Sequence, residues 1–388
     1  MHVLHLASWF PNSTGEQDGD FIQRHLKAIA RFLPVYLIHV VKDEQIKTRV
    51  SRSKTQEGNL NETIVYYKPI RTGLPPLDKF ISTITYKKVF KDAIRAHFQE
   101  HGKPQLVHVH VAMRAGLLAL WMRNKFKIPF IVSEHWSGYY KTDPDNYFTR
   151  NLWFRLSTKK IIANASWLIT VSNNLFEQLA PLFTVRNHSV IYNVVDTDSF
   201  FHKPSANSRF TFIHVSNMHP IKNVAGILTV LGRLNNIRDD WKLIMVGEIN
   251  PSYQRLAIAL GIADHVEWRG VLPHDHVPDE IRKADAMIIF SNLETLSCVV
   301  CESLCCGVPV IATNVGGLPE IVTETNGKLC EPGVEAELLE HIIYVMDKPG
   351  TYEPKRISAE ASRQFNASLI GSQFLSVYEQ VLNNVSKL

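Results

Sequence analysis

The sequence predicts an α/β protein of two parallel-sheet halves that face each other across a cleft. Three observations carry that expectation. Short apolar runs alternate with helix-period segments along the chain, the pattern of a parallel sheet covered by helices on both faces. The alternation then starts again near residue 197, so the plan is used twice. A length of 388 residues also exceeds an ordinary domain, since ~150 residues per domain predicts two or three.

In the first half, residues 3–7 read as a strand, followed by a polar loop and a helix over 19–32. Residues 35–41 read as the second strand. Residues 78–100 have helical spacing, with Ile81, Ile84, Val89, Ile94 and Phe98 toward the core. Strands at 106–111 and 130–133 flank a helix at 116–125, and strands at 168–171 and 190–192 close the half. In the second half, residues 211–215, 242–246, 266–268, 286–290 and 308–312 read as strands, with helices including 223–234, 252–260 and 299–305 between them. The join falls at 196–208, where polar residues, Pro204 and a lack of periodicity mark a linker. Residues 356–388 read as one or two amphipathic helices, with Phe365, Leu369, Phe374, Val377, Tyr378 and Val381 as the apolar set. The expected domains are 1–196, 197–355 and the helices at 356–388.

Composition narrows the class. Apolar residues make up 45% and charged residues 20%, as in a soluble globular protein. No apolar run reaches the ~20 residues that span a bilayer. The N-terminus enters a strand-like run without a basic leader and long apolar core, so no signal peptide and a cytoplasmic location are expected. The cysteines are Cys298, Cys301, Cys305, Cys306 and Cys330. Cys298 and Cys301 have C-x-x-C spacing, but no second Cys or His pair stands near to complete a zinc site. They read as small buried residues of one packed helix. Charge is uneven: residues 1–196 hold 26 Lys/Arg against 15 Asp/Glu, and the remainder 16 against 22. A basic first half suits an anionic partner: nucleic acid, an anionic membrane or a phosphorylated acceptor.

The most informative stretch runs from Glu294 to Glu302, eight positions apart, and leads into Cys306-Gly307-Val308-Pro309-Val310. Two acids bracket a short loop and the first turns of a helix. A helix N-terminus offers unsatisfied N–H groups and the positive end of the macrodipole to an anion. Carboxylates on either side could hold hydroxyl groups. A phosphate flanked by sugars describes a nucleotide sugar.

These residues carry a resemblance. The E-x7-E pattern, followed by Cys306-Gly307-Val308-Pro309-Val310 and Gly316-Gly317-Leu318-Pro319-Glu320-Ile321, resembles the retaining nucleotide-sugar glycosyltransferases of the family-four, group 1 type. Ser172 after a strand, Asn193-Val194-Val195-Asp196, and Gly270 after residues 266–268 match independently. The resemblance implies the GT-B fold, two Rossmann-like domains with the C-terminal helices returning to the first. It also implies retention of anomeric configuration without an essential metal or other cofactor. The residues alone show no clustered Asp ligands of the kind that bind a divalent cation.

Roles follow from matching positions. Glu302 matches the acid that holds the nucleotide ribose, and Glu294 the acid that contacts the donor sugar. Backbone N–H groups around Ser297, Cys298 and Val299 match the phosphate site at the helix start. Lys222 matches the lysine on the diphosphate, where a cation offsets charge on the leaving group. Asn217 stands five residues earlier, where the commoner pattern has arginine, and offers only a neutral hydrogen bond. His135 matches a histidine that approaches the donor sugar from the first half. Gly19 and Asp20, at the end of a long first loop over residues 8–20, are expected near sugar or acceptor, and Gly270 at the donor. His108 and His110 share one strand face and fit core packing equally well.

The acceptor is read from charge and aromatic residues. Lys79, Lys87, Lys88, Lys91 and Arg95 lie beside Phe80, Tyr86 and Phe90. A second basic-aromatic stretch runs from Tyr139-Tyr140-Lys141 through Tyr147-Phe148, Arg150 and Trp153-Phe154-Arg155 to Lys159-Lys160. Such surfaces suit peripheral contact with the cytoplasmic face of an anionic membrane and a glycan or lipid-linked acceptor. Nothing resembles a nucleic-acid module. The leading expectation is a hexosyltransferase of cell-surface polysaccharide synthesis, with a UDP-sugar favoured as donor. Transfer to a small soluble acceptor, and a nucleotide-sugar-binding protein without turnover, remain as alternatives. No G-x-G-x-x-G follows the first strand of either half, which argues against a dinucleotide-dependent dehydrogenase.

Overall fold

The computed structural model describes residues 1–15, 18–204 and 208–385. Glu16 and Gln17 of the first loop, residues 205–207 of the join and 386–388 of the C-terminal stretch lie outside the described residues. The chain divides into two compact units. The first takes Met1–Val171, Leu175–Val194 and the helix from Ala367 on; the second takes Ser172–Asn174 and Val195–Asn366.

The first unit is built on strands β1 (Val3–Ala7), β2 (Val35–Lys42), β3 (Val50–Glu57), β4 (Leu60–Tyr67), β5 (Leu106–His110), β6 (Phe130–Glu134), β7 (Trp167–Thr170) and β8 (His188–Val190). Its helices are α1 (Asp20–Ala30), α2 (Pro75–His101), α3 (Gly116–Phe126), α4 (Leu152–Asn164) and α5 (Asn173–Leu179). The sheet order is β3-β4-β2-β1-β5-β6-β7-β8. All pairs are parallel except β3 with β4. Strands β1, β5 and β6 are buried throughout, as a sheet covered on both faces requires.

The β3–β4 pair departs from the sequence expectation. Val-Ser-Arg-Ser-Lys-Thr-Gln-Glu of β3 is exposed at every position, so it shows no alternation to read. It forms an edge protected by Arg52 and Lys54, which suits an edge strand. A second departure concerns α2. Pro75 and Pro76 start it, which helix N-termini tolerate, and Gly102 with φ 78° ends it. Tyr86, Val89, Phe90, Ala93 and Ile94 are buried, but Ile84, expected toward the core, is exposed together with Leu77 and Phe80. Only the second half of this helix lies on the sheet.

The second unit has strands β9 (Phe210–Val215), β10 (Trp241–Val246), β11 (Val266–Gly270), β12 (Ala286–Ile289), β13 (Val310–Thr313) and β14 (Gly327–Cys330). Their order is β11-β10-β9-β12-β13-β14, all parallel. The helices are α6 (Val224–Asn235), α7 (Pro251–Ala259), α8 (Val277–Ile281), α9 (Cys298–Cys305), α10 (Glu335–Asp347) and α11 (Pro354–Phe365). Asn223 caps α6 by accepting from the Gly226 N–H at 3.2 Å, and Asn250 caps α7 through the Ser252 N–H at 2.9 Å. Sequence reading passed over β14 and α10. The latter's buried Leu338, Ile342, Val345 and Met346 do follow helical spacing.

The last helix, α12 (Ala367–Val385), belongs to the first unit and packs on α1. Phe374, Tyr378 and Val381 are buried with Ile22, Leu26 and Ile29. Burying each large side chain contributes roughly 1.5–3 kcal/mol. The crossing is close enough that a Cβ on Gly371 would sit 2.4 Å from the Ala28 carbonyl oxygen.

Candidate active site

In the second unit, the order of strands places the candidate residues. The chain builds outward from β9 to β10 and β11, then returns to lay β12, β13 and β14 on the other side of β9. The topological switch therefore lies between β9 and β12, and open parallel sheets bind ligands at that crevice, beyond the strands' carboxyl ends. The loop after β9 carries Lys222, and the loop after β12 carries Glu294. These side chains meet: Lys222 Nζ donates to Glu294 Oε1 at 2.7 Å. Ser291 Oγ donates to the same oxygen at 2.8 Å. Glu294 is nearly buried, whereas Lys222 retains partial exposure.

Glycines hold this loop in place. A Cβ on Gly316 would stand 1.6 Å from the Glu294 carbonyl oxygen, and that residue has φ 54°. The Gly317 N–H donates to the Thr295 carbonyl at 3.1 Å. Thr313 Oγ1 adds a bond to the Ser291 carbonyl at 2.6 Å. Gly316-Gly317 is thus a backbone-to-backbone seat for the segment that carries Glu294.

Helix α9 begins just beyond. Ser297 is its N-cap residue, and Cys298 and Val299 form the first turn. Glu302 follows on the same helix and is only 1% exposed. That burial excludes an ordinary solvated helix acid, because a buried carboxylate needs partners. One is His274, whose Nε2 lies 2.8 Å from Glu302 Oε1. The His274 ring packs near Phe200, with centroids 5.1 Å apart. Sequence reading did not select His274. It stands in a separate loop after β11, and only the fold brings it to Glu302.

The remaining candidates of this unit lie on neighbouring loops. Asn217 is exposed, and its Oδ1 accepts from the His219 N–H at 3.2 Å. Gly270 ends β11 with φ 74°, and its carbonyl accepts from the Gly247 N–H at 2.9 Å. The cysteines are free thiols; Cys301, Cys305, Cys306 and Cys330 are buried and Cys298 partly so. Burial pushes the Cys306 and Cys330 thiols up to about 12, so both are inert at neutral pH.

In the first unit, the loops after β1 and β5 flank the corresponding switch. Ser8 Oγ joins them, donating to the Val111 carbonyl at 2.7 Å and accepting from the Ala115 N–H at 3.0 Å. Gly19, with φ 72°, precedes α1, and Asp20 is paired with Arg24. The Phe21 ring lies tilted against His135 with centroids 4.6 Å apart, so the first turn of α1 meets the residue that follows β6. His135 is buried, and among the described residues its Nε2 has no hydrogen-bond partner. Burial holds it neutral, well below the usual histidine range. Glu134 fixes the loop by accepting from the Ala112, His135 and Trp136 N–H groups and the Tyr139 hydroxyl.

His108 and His110 form a buried cluster with His5. His108 lies 2.7 Å from both the Tyr378 hydroxyl and Ser133 Oγ, and His5 Nδ1 lies 3.1 Å from His110 Nε2. The ligand atoms of the three lie within 4.8 Å of one another. All three rings are buried, and among the described residues His5 Nε2 and His110 Nδ1 have no hydrogen-bond partner.

The two parallel-sheet units have the Rossmann-like architecture of the GT-B class. The family described as "Glycosyl transferases group 1" matches residues 195–364, and "Glycosyltransferase Family 4" matches residues 47–199. The chain belongs to the family-four, group 1 glycosyltransferases, whose activity uses nucleotide-sugar donors. It is 24% identical over 296 residues to the N-acetyl-alpha-D-glucosaminyl L-malate synthase of Bacillus anthracis, covering 72% of this chain and 75% of that protein. It is 22% identical over 360 residues to a putative teichuronic acid biosynthesis glycosyltransferase of Bacillus subtilis, covering 88% of each. Among solved structures, Anabaena HepE in complex with UDP superposes with a TM-score of 0.75 at 16% identity, covering 98% of this chain and 100% of that one.

Proposed function

We propose that the protein is a metal-independent, retaining hexosyltransferase that uses a UDP-sugar to extend a glycan or lipid-linked acceptor of a cell-surface polysaccharide. The observation that carries the reading is the Lys222–Glu294 pair at the switch point, beside the start of α9. A cation and a helix N-terminus on one side of a crevice suit a diphosphate. A buried acid on each side of them suits hydroxyl groups.

In this reading Glu302, steadied by His274, holds the ribose, and Glu294 holds sugar hydroxyls. Lys222 and the amides of Ser297, Cys298 and Val299 take the diphosphate, with Asn217 as a neutral donor and Gly270 beside the nucleotide. As the bond from the anomeric carbon to the phosphate oxygen breaks, negative charge grows on the leaving diphosphate. Lys222 stabilises that charge more than it stabilises the ground state, which is what accelerates the step. The acceptor oxygen bonds to the same face of the carbon, and its proton passes to the departing phosphate oxygen. His135, with its unpartnered Nε2, bonds a donor-sugar hydroxyl, and Gly19 and Asp20 border sugar or acceptor. The charge handled by Lys222 and the helix terminus is what a metal would otherwise meet.

The B. subtilis relative's name supports the polysaccharide acceptor. A small hydroxy-acid acceptor is the second reading, favoured by the name of the B. anthracis relative. Incubating the protein with UDP-glucose or UDP-N-acetylglucosamine, and separately with L-malate or a lipid-linked glycan, distinguishes them. Product formed only with the lipid-linked glycan supports the first reading, and product with L-malate overturns it. Donor binding with no turnover on any acceptor overturns the enzymatic reading.

A further inference from the structure

One face of the first unit leaves large apolar side chains in water. Leu74, Leu77, Phe80 and Ile84 recur every three or four residues at the start of α2, so they form one stripe. Phe80 is 64% exposed. Helix α4 adds Leu152, Trp153 and Leu156, all exposed. The stripes are parts of one surface, because Lys87 of α2 lies over the Trp153 ring, 5.7 Å from its centroid. Exposed apolar clusters of this kind mark interaction sites.

Beside this ridge lies a hollow of about 520 Å³. Lys87, Lys91, Lys125 and Lys160 line it together with Trp121 and Leu117, and among the described residues no carboxylate lines it. Lys91 Nζ lies 5.1 Å from the Trp121 ring centroid. The acids of α2 nearest the ridge are engaged: Asp78 accepts from Thr72 N and Oγ1 at 2.6 Å, and Asp92 pairs with Arg95 at 2.9 Å. Lys79, Lys88 and Lys159 extend the positive charge around the ridge.

We propose that this face docks on an anionic bilayer, with the ridge below the headgroups and a phosphate-bearing lipid headgroup in the lysine-lined hollow. Apolar side chains flanked by lysines are what an interfacial surface needs. The inference deepens the lipid-linked acceptor reading, and vesicle binding itself requires no turnover.

The test is sedimentation of the full-length protein with vesicles of equal parts phosphatidylcholine and phosphatidylglycerol, and with phosphatidylcholine alone. Binding should require phosphatidylglycerol and weaken at high salt, where screening shortens to about 3 Å at 1 M. Phe80→Ser with Trp153→Ser should lower partitioning about tenfold or more, with an unchanged melting temperature. Lys91→Glu with Lys125→Glu and Lys160→Glu should remove the preference for phosphatidylglycerol. Equal binding to both vesicles, or unaltered partitioning of the Phe80/Trp153 variant, would overturn the proposal. So would a ridge that instead mediates self-association, detected as a dimer lost in the same variant. Transfer from a UDP-sugar to an added lipid-linked glycan, assayed on the same preparations, separates the two readings. Turnover without vesicle binding refutes docking alone, and vesicle binding without turnover refutes the transferase reading alone.

Discussion

The side chains around Glu294 and Glu302 have unequal supports, and their variants should differ accordingly. Lys222 contacts Glu294 directly. Replacing it with alanine should lower kcat by about 10²–10³-fold, the usual effect of losing one donor to developing charge, with a smaller change in donor KM. Unchanged kcat would remove it from the chemistry. Glu302→Ala should raise donor KM about tenfold or more, because a hydrogen bond to a charged group contributes roughly 1.5–3 kcal/mol. His274→Ala should move KM the same way by less, and His274→Gln should recover part of it, since the amide can still donate to Glu302. Steady-state kinetics on the three variants, with UDP against a ribose-dideoxy analogue as competitor, assigns the effect to the ribose. If Glu302→Ala leaves that discrimination intact, the ribose assignment is wrong. The acids and the lysine were legible because each sits in a local motif. His274 was not, because it reaches Glu302 from 28 positions away through the fold.

Elements decide where these side chains can stand. The Glu294 segment is held by Gly316, where a Cβ would meet a carbonyl oxygen at 1.6 Å. Gly316→Ala should destabilise the protein by about 2–4 kcal/mol, through a backbone clash added to left-handed strain. Gly58, with φ 57° and open space around it, isolates the strain alone, so Gly58→Ala should cost about 1–2 kcal/mol. Chemical denaturation of both measures the difference, and equal losses would show that the close approach is not what makes Gly316 necessary. The helix and strand pattern was readable wherever burial is one-sided or complete, as in β1, β5 and β9. It failed at β3, where an edge strand exposes every residue, and in the first turns of α2, where apolar spacing points outward instead of inward.

Across the whole molecule, buried histidines couple stability to pH. Burial lowers His5 to about 3, and His25, His39 and His214 to about 4. In the unfolded chain these groups titrate near ~6.5. Above that pH both states are neutral and the native advantage is complete. As pH falls through ~6.5, the unfolded chain takes protons that the native state refuses. Each such histidine then removes up to ~1.4 kcal/mol per pH unit until its own folded pKa is reached. Melting temperature should therefore fall steadily from pH 7 to pH 5 at constant ionic strength, and a flat or rising profile would contradict the neutral, buried state of these rings. The two-sheet plan was legible because alternation is a long-range pattern that survives local errors. The histidine network was not, because periodicity places His108 and His110 on one face without showing that His5 bonds His110 and Tyr378 bonds His108.

Lys222, Glu294 and the start of α9 are proposed as a diphosphate-sugar site that does chemistry. Transfer of labelled sugar from a UDP-sugar to a lipid-linked glycan, measured for the native protein and for Lys222→Ala at saturating donor, tests it most directly. The expected product retains the anomeric configuration and is formed about 10²–10³-fold more slowly by the variant. Equal rates in the two proteins, or product of inverted configuration, would contradict it.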